Sequence, residues 1–302
     1  PRGGMKALAE GIGSRFDAFG GDLRTATKVD RVEREENGEF VVVTRRRHQL
    51  RTRQVIFNLP IDLAAGLLGQ SLEGRLGRTE RQSRAVWSAF TGYLAIRREA
   101  VPEGTPLFHQ VLQDYQEEIH DGNNALISLS PEEDEGYGPT GVRVATMSTH
   151  VRPSEWWGID RTAYEARKAE YSQRMMQALG RALPEAPEAL VHAEFASPRS
   201  FARYTRRTDG AVGGPPVSRR NSNLLAVGSD VLGPGLWLVG DSVFPGQGTM
   251  AVVLSAMKVV KSITGKPWQA TPTGSPAREN DGQARMGRMT SPATSVSRKS
   301  RP

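Results

Sequence analysis

The sequence contains no cysteine. Disulfides, thiolate zinc sites, iron–sulfur clusters, a cysteine nucleophile and thioether-linked cofactors are therefore excluded. Histidine is scarce, with five residues: His48, His109, His120, His150 and His192. No two stand three or four apart, so no helix presents a local histidine pair to a metal. Apolar runs all fall short of the ~18 residues that a membrane-spanning helix needs. The start shows no secretory signal pattern. It opens on Pro1 rather than Met, which reads as a fragment, a processed product or a truncated frame.

What is present is the composition of a globular chain. The 302 residues are 37% hydrophobic and 24% charged, with 32 Gly and 19 Pro. The net charge of +7 invites a nucleic-acid reading, but its distribution argues otherwise. Residues 266–302 hold seven basic and two acidic side chains, so they carry five of the seven net charges. This Pro/Ser/Thr/Gly-rich stretch has almost no large apolar residue, and a disordered basic tail is expected there.

Along the chain, Met5, Leu8, Ile12, Phe16 and Phe19 recur at helical steps, which predicts an amphipathic helix ending at Gly20-Gly21. Residues 25–34 and 39–45 flank Asn37-Gly38, a hairpin signal. Arg45 to Arg53 reads as an exposed hairpin end with solvated charges. Gln54 to Pro60 reads as a short strand buried on both faces. Further strands are expected at 87–97, 124–130, 141–149 and 189–197. A helix is expected over 161–183, with Tyr164, Tyr171, Met175, Ala178 and Ala182 on one face.

The segment LWLVGDSVFPGQGTMAVVLSA, residues 236–256, carries the chemistry. A buried strand, Leu236–Val239, delivers Asp241 to the carboxyl edge of a sheet, where open α/β sheets bind ligands. Gly240 allows a close turn. Gly246 and Gly248 clear side chains from the start of a helix that runs from Thr249 to about Ile263. Such a helix start suits a group with negative charge. A ribityl chain on a flavin ring meets both demands, with its hydroxyls on Asp241 and its pyrimidine edge near Thr249–Ala251. The alternative is a plain strand–turn–helix with Asp241 as a cap.

This segment resembles the flavin-contacting C-terminal motif of the phytoene desaturase family of FAD-dependent oxidoreductases, within the amine oxidase superfamily. Pro1-Arg2-Gly3-Gly4-Met5 with Leu8 is similar to that family's first helix start. Val29…Val32, Val41–Val43 and Val55-Ile56-Phe57-Asn58 are similar to its adenine-side meander. Ser197 to Thr205 with Gly210, Gly213-Gly214 and Pro215 looks most like the carotenoid desaturases and isomerases. The resemblance covers residues 1–265 and is strongest at the two ends. One departure stands out, since no strand–GxGxxG–helix unit is present. Gly11-Ile12-Gly13 lies inside a helix pattern with no strand before it.

The fold that the resemblance implies is α/β with an α+β substrate domain. It is a partial FAD-binding Rossmann-like domain with an inserted mixed sheet-and-helix substrate domain. Residues 1–60 and 224–265 would form the FAD part, 61–223 the substrate domain and 266–302 the tail. Carried over by residue, Val29 would meet the adenine and Asn58 to Pro60 would cross between domains. Gly240 and Asp241 would face the ribityl or pyrophosphate region. Gly246, Gly248, Thr249, Met250 and Ala251 would face the flavin ring. The implied activity is FAD-dependent removal of a hydride equivalent and a proton from a lipophilic polyene, in desaturation or isomerisation. The protein would be cytoplasmic with peripheral membrane contact, and the chain alone inactive.

No catalytic base is singled out among Glu194, His192 and Asp209, and His192 reads as a packed strand residue. Arg203, Arg206 and Arg207 read as solvated surface or as a substrate mouth. Trp156-Trp157 reads as core, tunnel wall or membrane contact. An amine-oxidising flavoenzyme, a cofactor-free remnant acting as an interaction module, and a nucleic-acid binder are the competing functions.

Overall fold

The computed structural model describes residues 3–266 apart from 85, 134–137, 217, 220, 221, 223 and 224. The expected disordered tail and part of the acidic loop at Glu132–Glu135 lie outside the described residues. Among these residues no helix is long and apolar enough to cross a membrane, and no cluster of His, Asp and Glu could hold a metal.

The first helix, α1, runs Gly4–Ala18. A three-stranded antiparallel meander follows, formed by β1 (Val29–Arg34), β2 (Phe40–Thr44) and β3 (Gln49–Thr52). The expected hairpin at Asn37-Gly38 is present, with Arg34 paired to Phe40. The stretch expected to be only an exposed hairpin end contains β3, whose residues pair with Phe40–Val43. Its charges hid the strand: Gln49, Leu50 and Arg51 are exposed, so no apolar alternation marked it.

Strand β4 (Val55–Phe57) pairs in parallel with β10 (Leu236–Leu238). Expected to be buried on both faces, β4 instead leaves Ile56 48% exposed, while Phe57 is buried. The two-stranded sheet is covered on one side only. Its covered side joins a hydrophobic cluster with Val32, Phe40, Phe57, Ile61, Leu236 and Leu238. Helix α2 (Ile61–Leu67) packs there through Ile61 and Ala64, and α3 (Gly74–Ser83) follows it. Neither helix, nor the strand β6 below, was expected from the sequence.

A second cluster is built on a five-stranded antiparallel sheet of order β6-β7-β8-β5-β9. Its strands are β5 (Ser88–Arg97), β6 (Phe108–Leu112), β7 (Asn124–Leu129), β8 (Val142–Val151) and β9 (Leu190–Ala196). Helix α4 (Arg161–Ala182) covers one face. Asp160 caps it by accepting from the Ala163 N–H at 2.8 Å. Tyr171, Met175, Ala178 and Leu179 are its buried residues. They meet Phe90, Leu94, Ile127 and Met147 from the sheet.

Helix α4 also carries a titratable core group. The Tyr171 hydroxyl donates to Asp121 Oδ1 at 3.0 Å. Burial, and then the Asp121 charge, raise its pKa well above the ordinary phenol range. The folded state thus favours the neutral phenol. Its contribution to stability is full below pH ~10, the unfolded phenol value, and is lost progressively above that. Tyr171→Phe is therefore expected to flatten the fall of melting temperature with pH on the alkaline side. An unchanged alkaline slope would contradict this.

Helix α1 forms as its spacing requires, but its apolar stripe does not pack. Met5, Ile12, Phe16 and Phe19 are all about half exposed or more, and only Gly4 is buried.

Candidate functional site

The parallel pairing of β4 and β10 brings two chain exits to one sheet edge. The Val239 N–H donates to the Phe57 carbonyl at 2.9 Å. Asn58 and Gly240 then leave side by side. A Cβ on Gly240 would lie 2.4 Å from Asn58 Oδ1, and its φ is +103°. Only glycine combines that conformation with so close an approach. Asp241 and Ser242 follow directly, so the sequence does place Asp241 at the carboxyl edge of a strand.

The loop then reaches α6 (Thr249–Thr264), with Gly248 as its N-cap residue at φ +107° and no side chain capping the helix. The first N–H groups of a helix have no intrahelical partner. A Cβ at Gly246 or at Gly248 would meet nothing within 4 Å, so the mouth opens on free space. Met250 is 72% exposed there. It is not core packing. Val253, Leu254 and Val260 are also exposed along α6, and Ser255 and Val259 are its buried residues.

Asp241 is not a free carboxylate. Its Oδ1 accepts from Arg207 Nη2 at 2.6 Å and from Ser242 Oγ at 3.3 Å. Both partners of the Arg207–Asp241 pair are about one-fifth exposed. Arg207 follows the short helix α5 (Pro198–Thr205), whose start is closed by a reciprocal Ser197–Ser200 capping box. The second arm of Arg207 donates to the Gly213 carbonyl at 3.0 Å. The segment 207–214 thus forms a strap across the Asp241–Gln247 loop. Gly214 lies so close that a Cβ on it would sit 2.1 Å from the Asp241 carbonyl oxygen. On the other side the strap is tied to the five-stranded sheet, because the Ser88 hydroxyl donates to the Gly210 carbonyl at 2.6 Å.

Gly240, Asp241, Gly246, Gly248, Thr249, Met250 and Ala251 therefore fall on one continuous strand–loop–helix segment. Val29 belongs to a different element, at the start of β1, half-buried against the cluster that also holds Leu236 and Leu238. The reading of Arg207 as solvated surface is corrected, since its charge is committed to Asp241. Its signal was present in the 197–215 stretch that carries the resemblance, but sequence alone gave no partner 34 residues away. His192 is also corrected. It is exposed on edge strand β9, not packed, as are its neighbours Val191, Ala193 and Glu194 on both faces of the strand. Glu194 is exposed on the same strand. Asp209 sits in a tight turn at φ +56°, where its carbonyl accepts from Trp157 Nε1. Trp156 is fully buried core, whereas Trp157 is 38% exposed.

Residues 1–256 match the family described as flavin containing amine oxidoreductase. The chain belongs to that family. Among similar proteins of known function is the chloroplastic prolycopene isomerase of Arabidopsis thaliana, 28% identical over 196 residues. That match covers 63% of this chain and 33% of the relative. The Daucus carota prolycopene isomerase is 26% identical over 167 residues, 55% of this chain and 27% of that protein. This chain thus spans about a third or less of these relatives' length. Among solved structures, an oxidoreductase from Methanosarcina mazei superposes with a TM-score of 0.58 at 17% identity. It covers 86% of this chain and 55% of its own. A putrescine oxidase bound to putrescine gives 0.54 at 14% identity, covering 83% and 51%. At these identities the solved structures establish the fold, a mixed α/β architecture shared with flavin amine oxidases.

The residues of the α6 mouth fit a flavin. The mouth has open space, uncapped helix N–H groups, an exposed Met250 and one unshared carboxylate oxygen, Asp241 Oδ2. Among the described residues no side chain fills that space or bonds that oxygen.

Proposed function

We propose that this chain forms the flavin-facing wall of a FAD-dependent oxidoreductase acting on a lipophilic polyene, by isomerisation or desaturation. The observation that carries the reading is the uncapped α6 mouth beside Asp241, in a chain of this family. The substrate class rests on the two plant relatives, which are prolycopene isomerases.

A bound flavin would supply the ring that takes up or returns a hydride equivalent. The remaining work belongs to the chain. Arg207 occupies Asp241 Oδ1 and so orients the carboxylate, leaving Oδ2 to accept from a ribityl hydroxyl. Gly246 and Gly248 keep side chains out of the ring's path. The N–H groups of Thr249–Ala251 would be offered to the ring edge that gains negative charge on reduction. Met250 would lie against the ring and Val29 near the adenine. Residues 1–60 and 224–265 would make up the FAD part and 61–223 the substrate part.

The chain has no glycine-rich turn for the pyrophosphate, so it is expected to purify colourless and to bind added flavin only weakly. Titration with riboflavin and with FAD, followed by flavin fluorescence, tests this. Asp241→Ala should weaken binding roughly tenfold by removing a charge-assisted hydrogen bond. A chain that binds neither flavin would overturn the assignment. So would an Asp241→Ala variant that binds both flavins as tightly as the unaltered chain.

A further inference from the structure

A groove of about 520 Å³ lies away from the α6 mouth, around edge strand β9 between α4 and α5. That volume is in the range of small-molecule sites, roughly 300–1,000 Å³. Its walls are aromatic. Tyr93 and Tyr204 are 45% and 78% exposed, and Phe201 is half-buried. Its rim is cationic, from Lys168 on α4 and from Arg199 and Arg203 on α5.

These charges are not neutralised. Among the described residues Lys168 and Arg203 have no carboxylate partner, and Arg203 lies against the Tyr204 ring at 5.7 Å. Arg199 spends Nε and Nη2 on the carbonyls of Trp156 and Ile159, at 2.8 and 3.0 Å. Its Cζ lies 4.4 Å from the centre of the Tyr164 ring. These contacts fix the guanidinium without cancelling its charge. Glu194 is the one carboxylate among the lining residues, the cross-strand partner of Tyr93 on the same face of the sheet. The lining is therefore net positive.

We infer that this groove is a binding site for an amphiphile with an anionic head, a carboxylate or a phosphate, and an apolar body. The head would be held by Lys168, Arg199 and Arg203, and the body would lie on Tyr93, Phe201 and Tyr204. A neutral polyene would leave the three cations unused, so this ligand class is distinct from the proposed flavin substrate. The inference does not depend on flavin binding.

The test uses the full chain, titrated with decanoate below its micelle concentration and separately with the neutral decanamide. Binding is followed by tyrosine fluorescence and by methyl and ring NMR shifts. Decanoate is expected to bind at least tenfold more tightly than decanamide at low salt. Lys168→Met combined with Arg203→Met should lower decanoate affinity roughly tenfold or more, as loss of charge-assisted contacts would. The melting temperature of that variant serves as the folding control. If it drops, Tyr204→Ser, an exposed change, should still lower affinity severalfold for decanoate. Equal affinity for acid and amide would mean adsorption to the exposed apolar faces of α1 and α6, and would overturn the site. So would decanoate binding untouched by either variant. Binding seen only to vesicles of phosphatidylglycerol in phosphatidylcholine, and not to free decanoate, would overturn it in favour of a lipid surface.

Discussion

Trp156→Ala is expected to destabilise the chain by about 3–5 kcal/mol, enough to unfold much of a marginal domain. Trp156 is fully buried between three rings. It stacks on Phe90 at 5.6 Å, meets Tyr171 edge-on at 5.2 Å and Tyr164 at 6.1 Å. The ring thus joins the sheet to α4. Its carbonyl also accepts from Arg199, so a shift of its backbone would reach α5. Removing the indole leaves a cavity that the sheet, bound on both sides of β5, cannot close. The adjacent Trp157→Ala should cost far less, about 1 kcal/mol or under, because its ring is partly in water and loses one hydrogen bond. Thermal and urea denaturation of the two variants gives the comparison. Equal losses would show that the burial difference between neighbours does not control stability here.

Gly214→Ala is expected to dislodge the strap from the Asp241 loop. The new methyl would lie 2.1 Å from the Asp241 carbonyl oxygen and 3.1 Å from its carbon. Both are backbone atoms, so no side chain can swing aside. The chain must separate there, at a cost of about 1–3 kcal/mol typical of overpacking. Separation also pulls Gly213 from Arg207, and with it the 2.6 Å contact to Asp241. Flavin affinity should therefore fall along with stability, although Gly214 itself offers no group to a ligand. Gly66→Ala in α2 is the control. A methyl there meets nothing within 4 Å, and alanine favours a helix over glycine by up to about 1 kcal/mol. That variant should be neutral or slightly stabilised. Melting curves and flavin titrations of both variants test the pair. A Gly214→Ala protein with wild-type melting and wild-type flavin affinity would show that the strap is not held as described.

Some elements were legible because their signal is local. Helix α4 has a regular apolar spacing, an Asp160 cap and Pro184 just beyond its end, and it forms where expected. Helix α6 starts at Gly248 and stops at Gly265 in the left-handed conformation. Strands β5, β7, β8 and β9 stand where β-rich apolar runs predict them. Other elements carried no such signal. Strand β3 is charged because it is an edge of a small meander, and α3, GRLGRTERQS, has only one large apolar residue. Such segments take their form from what they pair with, not from their own composition.

The exposed stripes of α1 and α6 show the limit from the other side. Both helices form, since helical spacing and glycine stops are properties of the segment itself. Burial is not such a property, and here Met5, Ile12, Phe16, Met250 and Val260 remain in contact with solvent.

By itself, then, the sequence determined how the strongly patterned segments coil or extend, that thiol chemistry and histidine pairs at helical spacing are absent, and that Asp241 and a glycine-cleared helix start stand within ten residues. Those are short-range matters of spacing, capping and composition. Only the tertiary structure decided which oxygen of Asp241 is left to a ligand. Arg207 takes the other oxygen, and it arrives through a capping box, a left-handed turn and a strap anchored on the sheet. The same holds for the cationic groove, whose charges come from α4 and α5 and meet across strand β9. Pairings over such separations are set by how the sheets and helices pack, and the spacing of residues along the chain does not encode them.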